Sequence, residues 1–144
     1  MMKHVKHITE GWFDKILQTK SLSEELKEVS EMIIISHLQN LSGISDIKID
    51  ISDNNQSNCY IKIYSEQEDE FGDNECYTFL IKTHDEIITL KAVGYTGLNL
   101  AEFKSFKEIS YPLHSREDIE EIIELFAIKL EPFVKYMLKI DKVH

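Results

Sequence analysis

Thiols, imidazoles and carboxylates are the groups in this chain that could do chemistry. Cys59 and Cys76 both fall inside runs that read as strands, while His37, His84 and His114 belong to other elements. A nucleophilic thiol needs a helix N-terminus or a base beside it, and nothing in the sequence gives either cysteine such a neighbour. His4 and His7 share a face at i, i+3 if helical, which is two ligands where a closed zinc site takes four. The run from Glu66 to Glu75 holds six carboxylates in ten residues, enough to attract a hard cation. It does not follow the calcium-loop pattern, because placing Gly72 at the glycine position puts Gln67 and Phe71 where ligands belong. Gly94-Tyr95-Thr96-Gly97 is followed by neither a lysine nor a clear helix, so it is no phosphate loop. No pair of carboxylates is set apart from the rest in the way a glycosidase requires. The expectation is a non-enzyme with no catalytic residue, no cofactor and no metal site.

The remaining candidate is the surface. From Asp46 to Glu75 nine acidic residues stand against two lysines, a local charge of −7. On a rigid sheet such a patch focuses the field and speeds association with a basic partner. Tyr60, Tyr64 and Phe71 lie in or beside it, and aromatic anchors inside a charged rim are a common make-up for a protein hot spot. The expected partner-binding set is therefore Glu66, Glu68, Asp69, Glu70, Asp73 and Glu75 with Tyr60, Tyr64 and Phe71. Asp50 and Asp53 are expected to adjoin it across the sheet end. The competing reading is a solvated loop beside core aromatics, since charge runs usually serve as solvated faces.

These residues need a scaffold, and alternation supplies it. Ile47, Ile49 and Ile51 form a first half-buried strand, and Cys59, Ile61 and Ile63 a second. The acidic run separates the second from a third with Tyr77, Phe79 and Ile81 on one face. Ser65 is expected opposite Cys76, which leaves Cys59 too far away to be bridged and both cysteines buried and reduced. His84-Asp85-Glu86 connects to a fourth strand with Ile88, Leu90 and Ala92 on one face. Gly94 to Gly97 reads as a turn, Leu98 to Phe103 as a helical turn, and Ser105 to Tyr111 as a fifth strand closed by Pro112.

Helices flank this meander. Thr9 caps a short helix carrying Trp12, Phe13, Ile16 and Leu17, and Ser21 with Glu24 makes a capping box for a second that runs to about Leu41, with Gly43 near its end. That helix is apolar on most sides between Met32 and Leu41, which suggests deep burial or a homodimer seam. Ile119, Ile122, Ile123, Phe126, Leu130, Phe133, Val134 and Met137 form a continuous stripe after a Ser115–Asp118 cap. Pro132 is expected to kink or restart this last helix. The sum is a single α+β domain over residues 1–144: N-terminal helices, a four- to five-stranded antiparallel meander, and a long C-terminal helix packed on one face.

The chain has 144 residues and a formal charge of −10. That balance argues against direct binding to nucleic acid, whose phosphates call for a positive surface. There is no apolar run near the ~18 residues of a membrane span, and the N-terminus lacks the apolar core of a signal peptide, so a cytoplasmic location away from membranes is expected.

The tail Phe106-Lys-Glu-Ile-Ser-Tyr-Pro-Leu-His-Ser115, followed by a capped helix, resembles the last strand and helix of type III secretion chaperones, small acidic dimers that hold effector peptides. A helix between the middle strands of that family is missing here. Size, acidity and build are also similar to bacterial immunity proteins that neutralise basic toxin nucleases. The leading expectation is an inhibitor or immunity-type protein masking a basic partner. A peptide-binding chaperone is the second, and a nucleic-acid mimic that blocks a DNA-binding protein the third.

Overall fold

The computed structural model describes residues 22–43, 46–53, 58–68, 72, 74–97 and 100–143. The expected helix from Thr9 through Leu17, His4 and His7, Ser21 of the capping box, and the turn at 54–57 lie outside the described residues, as do Asp69, Glu70, Phe71 and Asp73. Five strands form one antiparallel sheet in chain order: β1 (Ile47–Asp53), β2 (Asn58–Glu68), β3 (Asn74–His84), β4 (Ile87–Thr96) and β5 (Ile109–Pro112). Alternation decides which side chains point inward. Ile47, Ile49, Cys59, Ile61, Ile63, Tyr77, Phe79, Ile81, Ile88 and Leu90 line one buried face.

Two long helices cover that face. Helix α1 joins Leu22–Ser30, a wider π turn Glu31–Ile35, and Ser36–Ser42. After the short α2 (Leu100–Lys104) comes α3 (Asp118–Val143). The stripe of α3 is buried as its spacing requires, from Ile119 through Phe126 to Met137. Arg116 bonds Glu25 at 2.9 Å near the start of both helices, and His37 bonds Glu131 at 2.7 Å further along, so the helices run parallel. None of the described helices is long and apolar enough to cross a membrane.

Two one-residue insertions adjust this frame. Along α1 the buried positions Leu26, Ser30, Ile34, Leu38 and Ser42 recur every fourth residue. An α-helix turning about 100° per residue would carry Ser42 roughly 160° away from Leu26. The extra residue in the π turn absorbs about 100° of that drift, keeping one seam on the sheet. In β4, Gly94 pairs with Thr78 but Ala92 pairs with Phe79, which leaves Val93 as a bulge. The bulge shifts the alternation, so Tyr95 turns inward, with ring centroids 5.2 Å from Tyr77 and 5.4 Å from Phe103.

Several expectations are corrected. Gly94 to Gly97 is no turn, because β4 continues to Thr96. The fifth strand is confined to Ile109–Pro112. Cys76 pairs with Tyr64 rather than Ser65, because the register shifts between Tyr64 and Glu68, and Cys76 is half-buried. The strands run on to Glu68 and back from Asn74, so the acidic connection spans residues 69–73 and not ten residues. Helix α3 passes through Pro132 without restarting. Pro132 is exposed, so the carbonyl its missing N–H would have bonded lies on the solvent side.

The connection from β3 to β4 is a two-residue turn with Asp85 at φ 49° and Glu86 at φ 62°. Such turns favour glycine, and side chains there hold left-handed backbone at a cost. Glu86→Gly should therefore raise stability by about 1 kcal/mol, seen as a higher urea midpoint at unchanged slope. Phe126 is fully buried between α3 and the sheet, 5.8 Å in centroid distance from Tyr111. Phe126→Ala should cost about 3–5 kcal/mol in the same titration.

Candidate functional site

The expected binding set is divided by the fold. Glu66 and Glu68 are exposed at the end of β2 and stand with Asp46, whose carboxylate accepts from the side-chain amide of Gln67. Glu75, expected on the negative edge, is instead buried, and its carboxylate accepts the Tyr95 hydroxyl at 2.7 Å. Gly97 makes room for it: at φ 134° its missing side chain leaves space that the Glu75 carboxylate fills. The bulge at Val93 brings Tyr95 to this carboxylate, and strand alternation alone would have turned it away. Asp53 pairs with Cys59 at the opposite end of β1, about 20 Å from the acidic end at the usual strand rise. Asp50 sits mid-strand opposite Lys62. Tyr60 and Tyr64, both half-buried, project from the face of the sheet opposite α1 and α3, with Lys62 between them. The hydroxyl of Tyr64 donates to Asp50, which together with burial pushes its pKa up.

Negative charge gathers more densely on the outer side of the helix pair. Glu24, Glu28 and Glu31 of α1 are exposed, as are Glu117 just before α3 and Glu120, Glu121 and Glu124 within it. Lys27, Lys129 and Lys135 stand against these seven, a difference of −4, with Lys27 3.6 Å from Glu31 and Lys135 3.9 Å from Glu131. At the border of this charge three large apolar side chains face water: Met32 at 57% exposure, Ile128 at 52% and Leu125 at 38%. Helical spacing puts Glu121, Leu125 and Ile128 on the stripe opposite the core stripe of α3. The two cross-links between the parallel helices place Met32 at nearly the same height. The sequence held a signal for this surface, since Leu125 and Ile128 are among the apolar residues of α3 that its core stripe leaves out.

Other chemistry finds little to work with. Among the described residues no three His, Cys, Asp or Glu side chains converge to hold a metal ion. A shallow cleft of about 450 Å³ opens beside the β3–β4 turn, but Arg116 in its wall is committed to Glu25. Cys59 is buried, with its sulfur 3.9 Å from the Ser30 hydroxyl. Burial pushes its thiol up to about 11, the opposite of what a nucleophile needs.

Comparison with known proteins gives no relative: no family model matches the chain, and no curated protein or solved structure matches it significantly.

The raised thiol has a consequence for stability. The folded state keeps the Cys59 proton where the unfolded chain, titrating near 9.0, has lost it. Its contribution is complete below pH 9 and disappears as pH rises through about 11. Wild type should lose roughly 2 kcal/mol more than Cys59→Ala across that window, measured by denaturant titration at stepped pH. A thiol reagent at neutral pH should label Cys76 in the native protein and Cys59 only after unfolding.

Proposed function

We propose that this chain is a non-enzymatic binding protein of the inhibitor or immunity type, masking a basic partner such as a toxin nuclease. One observation carries the reading: exposed Ile128, Leu125 and Met32 border a cluster of carboxylates toward the N-terminal ends of α1 and α3. An apolar centre that sheds water inside a charged rim is how compact interfaces gain both affinity and orientation. The rim's sign selects a cationic partner and speeds the encounter. It also disfavours a homodimer through this face, because two copies would set like charges against each other. The acidic end of the β2–β3 hairpin, with Glu66 and Glu68, is a second place where the same partner can be held. Both cysteines are free, which suits a reducing, cytoplasmic setting.

The chaperone reading receives less support. β3 and β4 are joined by a two-residue turn, and the short helix α2 falls one strand later, between β4 and β5.

A photoreactive amino acid at position 128 should capture a basic protein from extracts of the producing cells, and less of it as salt is raised. With that partner purified, changing Glu120, Glu121 and Glu124 to lysine should slow association at least about tenfold. Ile128→Asp should speed dissociation, again about tenfold or more. Reversing Glu66 and Glu68 isolates the hairpin's share. An acidic captured protein, or a basic one indifferent to all these changes, would overturn the proposal.

A further inference from the structure

The outer side of the helix pair forms a trough, and its walls can be named. Glu25 bonds Arg116 and His37 bonds Glu131, which marks the sides on which the two helices face each other. On α1 the residues two positions before the core seam of Ser30, Ile34 and Leu38 turn away from the sheet, and Met32 is one of them. On α3 Ile128 lies about 200° from buried Phe126 and about 60° from Glu131, so it points outward near the junction. Met32 and Ile128 are therefore opposite walls, open to water at 57% and 52% exposure. Half-buried Ile33 and buried Ala127 lie lower, between the helices. Charge changes along the trough. Exposed Glu117, Glu120 and Glu124 stand on the Ile128 side toward its start. Past Ile128, Glu131 is held by His37 and lies 3.9 Å from exposed Lys135. The trough thus has a negative end, an apolar middle and an end where Lys135 balances Glu131.

We propose that this trough receives one amphipathic helix of the partner, laid antiparallel to α1 and α3, apolar in its middle and basic in its C-terminal half. The inference rests on the reading of this surface as the partner site and adds the form and direction of what binds there. Two packed helices leave a furrow whose ridges a third helix can interdigitate at about 8–10 Å between axes. Such a helix reaches both walls with anchors at i, i+3, i+4 and i+7. An extended strand finds no purchase, because the helices satisfy their own backbone groups and offer no sheet edge. Direction follows from charge. The cations of the occupant belong over Glu117, Glu120 and Glu124, and a helix carries cations best near its C-terminus, where its dipole is negative. That end then lies beside the starts of α1 and α3, where their dipoles are positive. Side-chain charge and backbone dipole agree in the antiparallel arrangement and oppose each other in the parallel one.

The test titrates the full chain into three fluorescein-labelled peptides of one composition, each about eighteen residues or five helical turns long, followed by anisotropy. The first has leucines at i, i+3, i+4 and i+7 in its middle and lysines in its C-terminal half. The second moves the lysines to the N-terminal half. The third keeps the lysines of the first and scatters the leucines. The first should bind about threefold tighter than the second and at least about tenfold tighter than the third. Met32→Asp and Ile128→Asp should each weaken it about tenfold. Glu120→Lys with Glu124→Lys should abolish the preference for the first over the second. All four positions are exposed, and circular dichroism confirms that the variants keep their fold. No binding of the first peptide overturns the proposal, as does equal binding of the third or indifference to Met32→Asp. So does a dimer in light scattering that Ile128→Asp dissolves, since a second copy then fills the trough. Capture of a basic protein at position 128 is scored separately, so loss of the helix and loss of the basic partner are told apart.

Discussion

Burial of one sheet face under two parallel helices is the constraint on which the rest of the structure depends. A sheet this size cannot hide its apolar side from water by itself, and α1 and α3 close over it with Leu26, Ile34, Leu38, Phe126 and Leu130. That arrangement fixes three surfaces at once. The outer sides of the helices face water, the far side of the sheet faces away from them, and the hairpin of β2 and β3 projects from one end. Each carries its own mixture of charge and apolar area.

The frame is kept in phase by small departures from regularity. The π turn in α1 holds Leu26 and Ser42 on one seam, and the bulge at Val93 turns Tyr95 toward the core. In both cases a single added residue corrects a periodicity that would otherwise carry a side chain to the wrong side. The second also explains why Glu75 is lost from the surface: Tyr95 arrives with a hydroxyl, and Gly97 leaves the carboxylate room. A buried carboxylate with a hydrogen-bond donor is tolerable where a bare one is not. The left-handed turn at Asp85 and Glu86 is a local cost carried by the strong pairing of β3 with β4.

Electrostatically the molecule is two-sided. Carboxylates gather toward the starts of the helices and at the hairpin end, while Lys48, Lys62 and Lys91 share the sheet face opposite α1 and α3.

The sequence by itself determined the elements and their inward faces. Period-two alternation in Ile47 to Ile63 and Tyr77 to Leu90 and the helical stripe from Ile119 to Met137 specify burial directly, because side-chain direction follows from local backbone geometry. The tertiary structure alone decided register, and register decided the surface. Cys76 stands opposite Tyr64, Asp53 lies at the far end from Glu68, and Lys48, Lys62 and Lys91 share a face. None of these neighbours is close in sequence, so counting charge along Asp46 to Glu75 joined residues that the fold separates. Strand pairing is set by how whole strands fit against one another and against the helices above them, and one inserted residue such as Val93 changes every pairing beyond it.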